Sequence, residues 1–263
     1  MDLNGLAQAC MGVTCGDIDH DGRPDLFVTN FARESNTVYM SLPGGLYEDQ
    51  TLQSGLREPS FEPLGFGTQF IDADLDGWLD LVVMNGHIDE FVNEPFRMKA
   101  QLFSGQPEGR FTEVKATHAG SLFEDLRLAR GLAKLDWNRD GRTDFVATDL
   151  EKPVLLAENT TQNHNHGLRL KLVGTKSSRD AIGATVTVVF TNGDSSVYQL
   201  TAGDGYESCN ERVIEVGTGS VETVQQVEVS WPSGTISKFH NVACDEYLVL
   251  VEEHATVVRI MFD

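Results

Sequence analysis

Three nine-residue stretches of this chain share one pattern, Asp-x-Asp/Asn-x-Asp-Gly-x-x-Asp: residues 17–25 (DIDHDGRPD), 72–80 (DADLDGWLD) and 136–144 (DWNRDGRTD). Oxygen donors at positions 1, 3 and 5, a backbone carbonyl at 7 and a carboxylate at 9 can wrap one hard cation, and such a set suits calcium. Glycine at position 6 permits the sharp turn that gathers the donors. The candidate ligands are Asp17, Asp19, Asp21, the Arg23 carbonyl and Asp25; Asp72, Asp74, Asp76, the Trp78 carbonyl and Asp80; and Asp136, Asn138, Asp140, the Arg142 carbonyl and Asp144. About three Ca²⁺ ions are expected, with the third loop weakest because Asn138 is neutral. A bare Asp-Gly hairpin turn would explain one such stretch, but not three at matching places.

No other constellation in the sequence has catalytic logic. The paired acids Asp89-Glu90 and Glu124-Asp125 lack a nearby nucleophile and base, and His87 alone makes no active site. The chain therefore reads as non-catalytic. His164-Asn165-His166 has no third ligand nearby and reads as a loop. Cys10, Cys15, Cys209 and Cys244 fit no zinc spacing; Cys209–Cys244 is a candidate disulfide, and four reduced, buried thiols are the equal alternative. Asn159-Thr160-Thr161 is a glycosylation sequon in a polar stretch and is expected to be accessible. Trp78 and Trp137 are expected to pack at the loops, and Trp231 before the Pro232-Ser233-Gly234 turn. Arg179 and Asp180 are expected to pair across a turn shaped by Gly174 and Gly183.

The loops start at 17, 72 and 136, so the repeats are 55 and 64 residues long. A small-residue strand precedes each loop: 11–14, 65–70 and 130–133. Apolar β-type runs follow at 26–30, 81–85 and 145–148, then short strands at 38–40, 100–103 and 154–156. In the first two units an aromatic strand comes next, at 46–49 and 110–113. Four antiparallel strands per unit is the anatomy of a propeller blade. An EF-hand needs Glu at position 12 and a helix behind the loop. Position 12 here is Val28, Val83 or Ala147, inside β-type runs.

Residues 157–167 (AENTTQNHNHG) are polar, lack periodicity and read as a linker or turn. From 168 the pattern is β again: LRLKLV alternates with period two, and further runs follow to 251 with turn signals at Asn192-Gly193 and Ser233-Gly234. Some six to eight short strands there fit a small β-sandwich or barrel. The stretch 257–262 reads as a last edge strand or a tail. The domains are thus 1–165 and 166–263, and the fold class is all-β.

The formal net charge is −20; eleven of the 40 Asp and Glu lie in the three loops, and three divalent ions would bring the charge to −14. That balance argues against nucleic acid or an anionic membrane as partner. No apolar run approaches the length of a membrane helix, and Met1-Asp2-Leu3-Asn4 does not read as a secretion leader.

The loops with their GFGTQFIDADLDG context resemble the FG-GAP or VCBS repeats of integrin-type propellers. The segments LRLKLVGTKSSRDAIGA (168–184), AGDGY (202–206) and VSWPSG (229–234) are similar to the ASPIC/UnbV domain. Together they resemble the cartilage acidic protein 1 family and its bacterial relatives, generally secreted or surface-associated. The resemblance implies a calcium-bound propeller, usually of seven blades, with a small β domain. Three blades leave an open arc with exposed sheet edges, since propellers close with about four to eight. The chain is then part of a longer protein, or copies associate. The expected function is a non-catalytic, calcium-stabilised adhesion or interaction module, extracellular, cell-surface or periplasmic, with a protein or glycan partner. The alternatives are a biosynthetic accessory or enzyme component, as the UnbV name implies, and a carbohydrate-binding propeller.

Overall fold

A computed structural model of the chain describes residue 5 and residues 7–91, 94–254 and 257–260. Each loop joins two strands of one sheet. The first sheet runs β1 (Cys10–Gly16), β2 (Asp25–Asn30), β3 (Thr37–Leu42), β4 (Leu46–Asp49). The second runs β5 (Gly65–Ile71), β6 (Asp80–Asn85), β7 (Gln101–Gln106), β8 (Arg110–Glu113). The third has three strands, β9 (Ala129–Leu135), β10 (Asp144–Asp149) and β11 (Leu155–Ala157). All neighbours are antiparallel, and the register repeats: Gly16, Ile71 and Leu135 pair with the position-9 residues Asp25, Asp80 and Asp144. These are blades of an arc, with β1 against β5 and β5 against β9 at its inner side.

The middle blade explains its own composition. Every residue of β5 and β6 is buried, because a blade lies on either side. Along β6, Leu81 and Val83 join Phe27, Val38, Phe70 and Phe103 in a core towards the first blade. Val82 and Met84 join Leu132, Phe145 and Ala147 in a core towards the third. The period-two alternation of a strand therefore feeds two apolar layers, and the sequence reads as one apolar run.

Close approach of the inner strands requires glycine five residues before the first two loops. A Cβ on Gly12 would come 2.3 Å from the Phe66 carbonyl oxygen of β5. A Cβ on Gly67 would come 2.5 Å from the Arg130 carbonyl oxygen of β9. At Gly131, where a fourth blade would supply the next carbonyl, that of Tyr206 takes its place at 3.3 Å.

Tyr206 belongs to the C-terminal unit, a two-sheet sandwich. One sheet orders as β15 (Ile214–Gly219), β12 (His166–Val173), β18 (Glu246–Val251), β19 (Val258–Ile260), with β12 and β18 parallel. The other orders as β14 (Ser195–Gln199), β13 (Thr185–Val189), β16 (Thr223–Ser230), β17 (Ile236–Ala243). Inward residues such as Leu170, Val186, Val227, Trp231 and Leu248 form its core. Of the expected terminal strand, Met261 and Phe262 lie outside the described residues.

The open arc is expected to leave sheet edges exposed; along the inner strands one segment between β14 and β15 meets the blades. Gly205 exchanges two backbone hydrogen bonds with Val13 of β1, at 3.0 and 2.6 Å. The Asn210 amide donates to Gln69 Oε1 of β5 at 2.8 Å, and its Oδ1 accepts from Lys134 N of β9 at 2.9 Å. The Glu211 N–H donates to the Lys134 carbonyl at 3.0 Å. Residues 204–211 thus touch all three blades, and Tyr206 packs edge-on against Phe66 at 5.0 Å.

Candidate metal centres

The three loops share one backbone course. Position 4 is left-handed in each (His20, Leu75 and Arg139, φ 61°, 59° and 61°), as is the position-6 glycine (Gly22, Gly77 and Gly141, φ 85°, 96° and 88°). Position 1 accepts the position-6 N–H: Gly22 to Asp17 at 3.1 Å, Gly77 to Asp72 at 2.9 Å and Gly141 to Asp136 at 3.0 Å. Position 5 accepts the position-7 N–H: Arg23 to Asp21, Trp78 to Asp76 and Arg142 to Asp140, at 2.8–2.9 Å. Such bonds fold the chain inward so that its carboxylates converge.

Position 9 braces the blade. Asp25 accepts from Ile18 N and Ser41 N, Asp80 from Ala73 N and Gly105 N, and Asp144 from Trp137 N and Asn159 N, at 2.7–3.0 Å. Each carboxylate ties its own loop to the third strand of the blade or the segment that follows it. The position-1 and position-9 aspartates are all buried.

In the first two loops an oxygen from each of positions 1, 3 and 5 lies within 4.8 Å of the others: Asp17, Asp19, Asp21, and Asp72, Asp74, Asp76. Asp17 Oδ1 is buried and has no hydrogen-bond partner. Burial pushes the Asp17 carboxyl up to about 6, helped by the charges of Asp19 and Asp21. Burial likewise pushes Asp25 and Asp80 up to about 7 and Asp72 well above the usual range, with Asp80 and Asp76 repelling Asp72. Clustered, desolvated carboxylates with an unpartnered oxygen fit a hard cation, which would relieve both the repulsion and the orphaned acceptor.

All three loops face the sandwich. Val197 of β14 lies against the first loop, beside Gly22 and on the wall of the cavity that Asp17 also lines. Gly219 N donates to the Leu75 carbonyl at 2.8 Å, and the neighbouring Gly217 lies so close to Asp72 that a Cβ would strike its carboxylate. Arg169 of β12 pairs with Asp136. The linker joins in: Asn163 and Asn165 donate to the Asp74 carbonyl, the latter at 2.9 Å. The first two loops also meet each other. His20 stacks on Trp78 with ring centroids 4.0 Å apart, and its Nε2–H donates to the Gly77 carbonyl at 3.1 Å. A cavity of about 260 Å³ lies between the first loop and the sandwich, walled by Asp17, Lys134, Tyr198 and Asp204 among others.

Several expectations need correcting. The Asn159 amide is not free: it is half-buried and donates to the Ala73 carbonyl at 2.8 Å, the N–H a glycan would replace. Trp137 does not pack at its loop but is 63 % exposed. Asp180 faces Arg212 at 3.5 Å rather than Arg179. The four cysteines are free thiols, so Cys209 and Cys244 are unlinked, but of the four only Cys244 is buried, beside the Thr218 hydroxyl; Cys15 is half-buried, and Cys10 and Cys209 are exposed, the latter on the Ala202 carbonyl. Trp231 is buried as expected, its indole N–H on Ser237 Oγ at 2.9 Å.

The motif-like segments of the sandwich converge on one residue the sequence did not single out. Buried Glu252 accepts from the N–H groups of Thr175, Lys176 and Ser177 at 2.7–2.8 Å on one oxygen. Its other oxygen accepts from the hydroxyls of Ser177, Ser233 and Thr235. Burial pushes this carboxyl up, but the donors led by Ser233 and Ser177 outweigh it and hold it below the usual range. A Glu just after an alternating strand gives no local sign of such a role.

Residues 17–83 match the family model of the FG-GAP-like repeat, and residues 174–257 match that of ASPIC and UnbV. No curated protein matches the chain. Among the described residues no helix is long and apolar enough to cross a membrane.

Proposed function

We propose that this chain is a calcium-stabilised interaction module of an extracellular or periplasmic protein, in which bound ions fix the sandwich against the blades. The observation that carries this reading is the placement of the acidic loops: each points its buried position-1 aspartate at the C-terminal unit. Asp17, Asp19, Asp21 and Asp25 would hold one ion with the Arg23 carbonyl. Asp72, Asp74, Asp76 and Asp80 would hold another with the Trp78 carbonyl. The ion supplies positive charge and a rigid centre; the protein oxygens already surround it, so its work is structural rather than catalytic. Extracellular modules bind calcium at about 10⁻⁴–10⁻³ M, so such sites fill outside a cell and empty in cytosol.

The test is thermal unfolding in about 2 mM Ca²⁺ and in EGTA, with sedimentation of both samples. Mass action gives about 0.6–1.8 kcal/mol of stabilisation per filled site, and the expected result is a higher midpoint in calcium with no change in oligomeric state. Identical midpoints would leave three ordinary turns and end the calcium reading.

A second reading is a glycan partner on the third-loop face: Trp137 stands exposed there, and its indole offers an apolar stacking surface with a polar N–H at its edge. A glycan array probed with the intact chain and with Trp137→Ala decides it; equal signals from the two would remove this assignment.

A further inference from the structure

The third loop differs from the other two in the charge that faces it. Asp136, at position 1, accepts from the guanidinium of Arg169, which is 7 % exposed at the sandwich interface. The same guanidinium lies 3.1 Å from Glu211 and 3.2 Å from Glu215, over the ring of Tyr247 at 5.4 Å. Asp140, at position 5, lies 2.5 Å from the Arg142 guanidinium. Asn138, at position 3, donates its amide to Asp140 and Glu158, each at 3.0 Å. Asp144 accepts from Trp137 N and Asn159 N. Backbone donors also serve the carboxylates of the other loops, but here the position-1 aspartate itself meets a cation.

The other loops contrast with it. Asp17 Oδ1 in the first loop is buried without a partner, and its one guanidinium, Arg23, sits on Asp21, further out. The second loop contains no basic residue. A guanidinium is permanently charged and presents directional donors matched to carboxylates. A divalent ion entering the third loop would meet a like charge on the same aspartate and compete for oxygens already bonded.

We propose that the third loop is closed by Arg169 in place of a metal ion, so that the chain takes calcium at two loops and holds the third as a fixed ion pair between blade and sandwich. The proposal rests on the calcium reading of the first two loops. It assigns Arg169 a latching role that persists when calcium is removed, and it makes the contact of the sandwich with the third blade independent of the ion.

Equilibrium dialysis against radioactive calcium, on the full chain, counts the ions. Two per chain are expected. One is expected after Asp19→Asn with Asp21→Asn, one after Asp74→Asn with Asp76→Asn, and two still after Asp140→Asn. Three ions in the unaltered chain, or loss of an ion on Asp140→Asn, overturns the proposal and leaves the calcium reading standing. No bound calcium in any sample overturns that reading and the count with it. Arg169→Gln gives an independent readout: its thermal midpoint should fall in EGTA, and fall no further in calcium. A fall confined to calcium would show Arg169 acting through an ion, and the proposal would fail.

Discussion

Gly12 and Gly67 show how single residues set the spacing of this molecule. Each leaves room for a carbonyl oxygen of the next blade that a Cβ would strike. Gly67→Ala should destabilise the chain by about 1–3 kcal/mol, measured by urea unfolding. Gly131→Ala should cost less, because its nearest neighbour is the Thr148 hydroxyl at 3.2 Å; equal losses at the two positions would mean that inner-strand spacing is not what these glycines provide. The Asp and Gly positions of the loops were legible because the turn constrains residue type directly: the position-1 aspartates accept the glycine N–H groups, and those glycines take positive φ. The left-handed residues at position 4 were not, since His20, Leu75 and Arg139 carry no signal for positive φ. Arg169 was equally hidden: in sequence it is one polar residue of an alternating strand, and only the docked sandwich brings it to Asp136, 33 positions away.

At the scale of elements, strands and their order were readable from apolar runs and turn residues, and blades of four, four and three strands match the repeats. What could not be read was the use of irregular segments. The stretch after β11 has the composition of a linker, yet its asparagines bind carbonyls of the second loop. The turns at 174–183 and 231–235 are held by a residue from beyond β18. Glu252→Gln keeps the shape but replaces one acceptor oxygen by an N–H donor, leaving backbone N–H groups or hydroxyls unsatisfied. The sandwich should then unfold at lower denaturant than with Ser233→Ala, which removes one of six donors; near-UV circular dichroism of Trp231 reports it. If Ser233→Ala is the more damaging change, the turns are not organised around this carboxylate.

Across the whole molecule, the proposed calcium reading predicts that the acidic loops make stability depend on pH in opposite senses with and without the ion. In the metal-free chain, Asp17 is raised to about 6 and Asp25 and Asp80 to about 7. The folded state then binds more protons than the unfolded one between about pH 4 and 7, so stability falls as pH rises through that window. With calcium bound the ionised carboxylates are the ligands, and stability should rise over the same window. Thermal midpoints at pH 4.5, 5.5, 6.5 and 7.5, in EGTA and in calcium, check both slopes; parallel curves would mean that these carboxylates do not meet the ion.

The segment at 204–211 also fixes an order of events. Thr14 of the first blade bonds Asp204, 190 positions later, and Val13 pairs with Gly205. During synthesis the first blade emerges long before its inner-edge partner exists. Until then β1 carries an unpaired edge able to join a strand from another chain. The nascent protein is therefore open to mispairing along β1 in the interval between completion of the blades and arrival of residue 211. A chain halted in that interval would lack a segment that touches all three blades.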